Sequence, residues 1–193
     1  MTTDAPTAGE PTLRADARRN YRRVLGAARA VFAEHGTDAS LRDVARRAGV
    51  GIGTLYRHFP TREALLEAIL SDRFDTLRTT AEHSLAAASP VDALVTWLRD
   101  FATVTTTYQG LPATVMAAKG DEGSRLHASC EAMQAAGARL LARAQEDGIV
   151  RPEVTAAELF ALAAAIAWVS EQAPEHVNLA SRLMSLVMTG VQT

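Results

Sequence analysis

Apolar residues recur at helical spacing along most of this chain, and they stand against charge most sharply over residues 40–59. Leu41, Val44, Ala45 and Ala48 fall at i, i+3, i+4 and i+7, which makes one apolar stripe and leaves Arg42, Arg46 and Arg47 facing outward. Ser40 is a good N-cap for that helix, and Asp43 is an aspartate version of the capping-box partner. Gly49 suits the left-handed residue that ends a helix, with Val50 packing back on the last turn. In the segment that follows, Leu55 and Phe59 share one side. Ile52, Gly53, Tyr56 and Arg57 lie on another, Thr54 and His58 border the two, and only about two helical turns fit before Pro60.

The rest of the chain reads the same way. Residues 1–16 carry Pro6, Gly9 and Pro11 without apolar periodicity and are expected to form a disordered arm, with Arg14 its basic residue. Tyr21, Val24, Leu25, Ala28 and Phe32 stripe a first helix over 18–35, ended by Gly36. Thr61 caps a long fourth helix that Leu65, Leu66, Ile69, Leu70, Phe74 and Leu77 carry to residue 87. Ser89, Pro90 and Asp92 supply an N-cap, an N1 proline and an acidic third position for a fifth helix to residue 108. The β-branched run at 104–107 leaves a short strand as the alternative there.

A short helix to Lys119 follows, then one marked by Leu126, Cys130, Met133, Gly137, Leu140, Leu141 and Ala144 that stops at Gly148. Thr155 with Glu158 forms a capping box opening a helix through residue 173, and Val177 to Met188 mark the last. Both of these final helices carry apolar residues on more than one face, so both must be covered on more than one side. The pattern predicts an all-α chain of nine helices. An N-terminal helix-turn-helix domain spans 17–60, helix 61–87 links onward, and a helical bundle occupies 88–193.

Charge sharpens this division. Residues 1–59 hold ten Arg against six Asp or Glu, a net of +4, while the remainder holds ten basic residues against sixteen acidic, a net of −6. That split fits an anion-binding module on an acidic body. One cysteine, Cys130, excludes an intrachain disulfide framework. Without a signal-peptide pattern or an apolar run of spanning length, the chain is expected to be cytoplasmic with no membrane partner.

Two kinds of chemistry compete for these residues. A two-turn helix with an apolar anchor on one side and Tyr, Arg, His and Thr on the other suits a helix-turn-helix whose second helix enters the major groove. Spacing alone also allows a plain surface hairpin of helices with solvated arginines. In the C-terminal half, His127 and Cys130 stand at i and i+3, the spacing at which an imidazole could activate a thiol; an all-α enzyme or small-molecule carrier is therefore the alternative from another class. The five histidines have no metal-ligand spacing, and neither metal nor cofactor is expected.

Gly49-Val50, then Gly53-Thr54-Leu55-Tyr56-x-His58-Phe59, then Arg62-Glu63-Ala64-Leu65-Leu66, resembles the DNA-binding domain of the TetR family of bacterial repressors over residues 18–70. Gly51 departs from the family's small polar or acidic residue, and Arg62 stands where the family usually has Lys. The segments 90–94, 144–148 and 167–168 also look like one subgroup of that family's regulatory domains. The resemblance implies a repressor, not an enzyme, that binds a palindromic double-stranded operator as a homodimer and is released by a small apolar or amphipathic ligand.

It further implies a set of site residues. Arg42, Ile52, Gly53 and Thr54 would approach base edges, Tyr56, His58 and Arg62 would hold phosphates, Arg57 could do either, and Ser40 would be a further DNA-binding residue. The ligand is expected among Phe74, Leu77, Trp97, Phe101, Thr105, Tyr108, Met116, His127, Cys130, Met133 and Trp168. The dimer is expected through Phe160, Trp168, Leu179, Leu183, Leu186 and Val187 of the last two helices.

Overall fold

The computed structural model describes residues 10–106, 121–173 and 178–193. These form eight helices: α1 Glu10–His35, α2 Leu41–Ala48, α3 Ile52–His58, α4 Arg62–Ser84, α5 Pro90–Thr106, α6 Arg125–Glu146, α7 Ala156–Gln172 and α8 Leu179–Val191. The short helix expected before Lys119 and the position of Val177 lie outside the described residues. Two compact units divide the chain, 1–69 and 70–193, and the boundary falls inside α4.

In the first unit, Val24, Leu25, Ala28, Val31 and Phe32 of α1 are buried, as are Val44, Ala45 and Ala48 of α2, Leu55 of α3, Phe59, and Leu65 and Ile69 of α4. Each large side chain removed from water here contributes about 1.5–3 kcal/mol. Helix α1 starts earlier than expected. Residues 10–16, read from sequence as a disordered arm, continue the helix, because Pro11 falls in the first turn, where a missing N–H breaks no hydrogen bond.

The caps of α2 are local and were legible. Ser40 Oγ accepts from the Arg42 amide at 3.2 Å, and Gly49 takes φ 62. Gly49 N–H donates to Arg46 O and Val50 N–H to Ala45 O, the paired bonds of a Schellman ending. Asp43, expected as a capping partner, instead pairs its carboxylate with Arg46 at 2.7 Å. Its short side chain reaches the next turn's cation more easily than the backbone of Ser40.

The second unit is built around α5, which packs on α6, α7 and α8. Helix continues through the β-branched residues to Thr106, so the alternative strand is not formed over 104–106. The indole of Trp97, only 1% exposed, stacks on Phe101 at 5.8 Å and meets Phe160 at 5.4 Å. Gly137 on α6 makes room for it: a Cβ there would lie 2.4 Å from the Trp97 ring and 2.8 Å from that of Phe160. Trp97 Nε1 donates to Leu77 O of α4 at 2.9 Å, and the Arg143 guanidinium donates to Leu85 O and to Ala87 O just past the end of the same helix. The α7 capping box forms in full between Thr155 and Glu158. An antiparallel bridge, Val150 with Gln192, fastens the end of α8 to the α6–α7 connection.

Candidate nucleic-acid interface

Helix α3 is held by one side and open on the other. Leu55 and Phe59 are buried, whereas Ile52, Gly53, Tyr56 and Arg57 are exposed and Thr54 and His58 are half-buried. The faces read from the sequence are the faces observed. Two apolar side chains stand out on the open face, Ile52 at 37% exposure and Tyr56 at 48%. Neither Gly51 nor Gly53 would meet any atom within 4 Å if given a Cβ, so the surface around Ile52 is unobstructed.

The polar residues of α3 are already arranged. Arg57 folds back along its own helix, with Nε donating to Gly53 O at 3.2 Å and Nη2 to Thr54 Oγ1 at 3.0 Å. Its charge therefore lies over the Gly53–Thr54 turn, with further guanidinium N–H groups in reserve. His58 packs edge-on against Tyr21 at 6.1 Å, and Phe59 lies 5.0 Å from the same ring. His58 is thus partly a packing residue, which limits how far its imidazole can swing.

The arginines divide into tied and untied groups. Arg47 pairs with Glu34 at 2.6 Å, joining α2 to α1, and the hydrogen bond from Arg47 holds the Glu34 carboxyl below the usual carboxylate range. Arg23 Nη2 donates to Gly49 O at 3.2 Å, capping the last turn of α2. A Cβ at Gly49 would stand 2.5 Å from that Nη2, which the flexible end of Arg23 can yield, so it is the left-handed φ of 62 that calls for glycine there. These tethers fix the two helices against each other. They are long-range pairs, which explains why helical periodicity did not reveal them. Arg42, by contrast, is exposed. Arg18, Arg19, Arg22 and Arg23 line one shallow cleft on α1.

Arg62 is engaged within the chain. Its Nη1 donates to Thr37 O and, at 2.7 Å, to Ala39 O, and its guanidinium lies 6.0 Å from the centre of the Phe32 ring. Expected from the resemblance as a phosphate ligand, it also clamps the loop between α1 and α2. The sequence showed a cation at the start of α4 but not the two carbonyls that turn toward it.

The residues expected to surround a ligand are mostly core. Phe74, Leu77, Trp97, Phe101, Cys130 and Met133 are buried, and Thr105 is half-buried with Oγ1 donating to Ala102 O. Tyr108 and Met116 lie outside the described residues. Trp168 is 61% exposed and does not line the interior with them, because α7 turns that face away from α5. A cleft of about 310 Å³ in the second unit is lined by Ala102, Ile166, Ala167 and Met184 with Arg99 and Glu171, none of them in the expected set. His127 Nε2 faces Glu131 at 3.5 Å while Cys130 Sγ accepts from Gln134 at 3.7 Å. A thiol so placed is a buried side chain rather than a nucleophile with its base.

The residues expected at a dimer contact also separate. Phe160, half-buried, packs within its own chain against Trp97, Phe101 and Gly137. Leu179, Leu183 and Val187 are half-buried. Leu186, at 68%, and Trp168 remain open, joined by Leu162 at 42% and Val169 at 40%. Those last two were missed, although their i, i+7 spacing on an all-round apolar helix was the available signal. Among the described residues no group of three His, Cys, Asp or Glu is arranged to hold a metal, and no helix is long and apolar enough to cross a membrane.

Residues 24–69 match the bacterial regulatory proteins of the tetR family, and residues 89–193 match the C-terminal domain of SbtR-like transcriptional regulators. The chain belongs to the TetR family. A TetR transcriptional regulator of Streptomyces coelicolor is 37% identical in sequence and superposes with a TM-score of 0.72 over 89% of this chain and 98% of its own. For a TetR transcription regulatory protein of Mycobacterium vanbaalenii the figures are 36%, 0.64, 94% and 99%. The HTH-type transcriptional repressor LfrR of Mycolicibacterium smegmatis is 39% identical over 84 residues, 43% of this chain and 44% of that protein. The match spans less than half the length of the curated relatives, as with LfrR and the repressor KstR of Rhodococcus jostii. Membership makes this TetR-family chain a transcriptional regulator, and α2 with α3 its helix-turn-helix.

Proposed function

We propose that the protein is a ligand-responsive repressor that binds a palindromic duplex operator as a homodimer. The observation that carries this reading is α3 itself, a short helix anchored by Leu55 and Phe59 whose opposite face is open and flanked by arginines. Its N-terminal residues Ile52, Gly53 and Thr54 would meet base edges, with Arg57 beside them. Ser40 and Arg42 on α2, with Tyr56 and His58, would approach the backbone and adjoining bases. Counterion release by these cations and those of α1 would supply most of the sequence-independent affinity. Two copies are needed because one such module reads only a few base pairs, and the open apolar residues Leu162, Trp168, Val169 and Leu186 are the surface for the second.

The ligand would bind in the second unit. His127 Nδ1 is buried with no hydrogen-bond partner, a donor or acceptor that an amphipathic molecule could satisfy. Helix α4 belongs to both units, so a ligand that shifts α4 alters DNA affinity, and by linkage DNA opposes ligand equally. Affinity selection of random duplexes by the full-length chain tests the proposal. Enrichment of an inverted repeat is expected; recovery of unenriched sequence would overturn it.

A further inference from the structure

We infer that Ile52 is a specificity-determining residue that reads the methyl group of a thymine in each half-site. The inference rests on the DNA-binding reading above and says which base chemistry the first turn of α3 recognises.

An isoleucine with more than a third of its surface in water, at the first position of a helix, gains little from its own core. A polar residue there would stabilise the helix start at least as well. On both sides the chain has glycine, and a Cβ at either Gly51 or Gly53 would have open space around it. Packing within the protein therefore does not call for those glycines. Their effect is to leave the Ile52 side chain standing alone on the surface, with nothing on its neighbours to hold a base edge away.

The surrounding chemistry narrows what Ile52 can touch. In the major groove the one apolar group on a base edge is the C5-methyl of thymine, while every other edge offers hydrogen-bond donors or acceptors that an isoleucine leaves unpaired. Opposing a cytosine amino group or a guanine carbonyl, Ile52 would desolvate it without compensation. The polar work of the same turn falls to Arg57, whose guanidinium is held over Gly53 and Thr54 by two hydrogen bonds. Ile52 thus selects by shape and methyl contact, and Arg57 beside it by hydrogen bonding.

The test removes the methyl and nothing else. Duplexes selected by the full-length chain are resynthesised with each thymine in turn replaced by deoxyuridine, and affinities are measured for wild type and for Ile52→Ala. Covering about one methyl is worth roughly fourfold in affinity, so substitution in both half-sites should weaken wild-type binding roughly fifteenfold. Ile52→Ala should be insensitive at that same position while still binding the duplex, and Ile52→Val should retain part of the discrimination. Two results would overturn the inference: no thymine at which deoxyuridine weakens wild-type binding, or an equal loss at that position in Ile52→Ala. Tight, sequence-selective binding with either result sinks the assignment of Ile52 alone. Failure to select any duplex sinks the DNA-binding reading with it.

Discussion

Replacing Arg62 with alanine separates two accounts of the same cation. In this structure its guanidinium holds the carbonyls of Thr37 and Ala39 and lies over Phe32. A hydrogen bond from a charged group contributes about 1.5–3 kcal/mol, discounted by roughly half here because the loop remains open to water. A cation over an aromatic face adds about 0.5–1 kcal/mol. Arg62→Ala should therefore destabilise the helix-turn-helix unit by about 2–4 kcal/mol. The freed loop leads directly into Ser40 at the start of α2, so operator affinity should also fall. Its salt dependence should not change, since the number of phosphates neutralised is the same. A phosphate ligand behaves in the opposite way: its loss would flatten the slope of log affinity against log salt by about 0.9 per contact, or about 1.8 per dimer, with the fold intact. Chemical denaturation and a salt-dependent binding titration on the same variant decide the matter. Unchanged stability with a shallower slope would refute the clamp.

Three further outcomes follow from other contacts. Gly137→Ala should lower stability of the second unit by about 1–2 kcal/mol, the strain of overpacking against Trp97 exceeding the roughly 1 kcal/mol gained in helix propensity; thermal unfolding followed by Trp fluorescence checks it. Leu186→Glu should yield a folded monomer in sedimentation, because that side chain is 68% exposed and contributes little to its own chain's core; a dimer of wild-type strength would rule out the α7–α8 face. The backbone N–H of Thr155, with its hydroxyl, holds the Glu158 carboxyl below its ordinary value. A depressed folded pKa gives stability that is present above the unfolded pKa and lost as pH falls through the folded one. The stability gap between wild type and Glu158→Gln should accordingly be flat at neutral pH and close below about pH 4.

Local chemistry was the legible part of this chain. Ser40, Gly49, Pro90 and the Thr155–Glu158 pair announced helix ends because their partners lie within a few residues. The two faces of α3 followed from spacing alone. What escaped were interactions between distant residues: Arg62 with Thr37 and Ala39, Arg47 with Glu34, and the dependence of Trp97 on Gly137. Apolar identity likewise did not say which way a residue faces. Phe160 and Trp168, eight residues apart on α7, were assigned to the same surface, yet one closes an aromatic cluster and the other is open. Early helix in α1 was hidden because proline reads as a breaker until its place in the first turn is known.

The central claim is that two copies of α3 read two half-sites. Hydroxyl-radical footprinting of the full-length protein on its selected duplex tests it most directly. Protection should appear in two symmetric blocks on one face of the DNA, centred one helical turn of about 10–10.5 base pairs apart or a multiple of it, and both blocks should vanish together in Leu186→Glu. A single asymmetric block that persists in that variant would contradict the account.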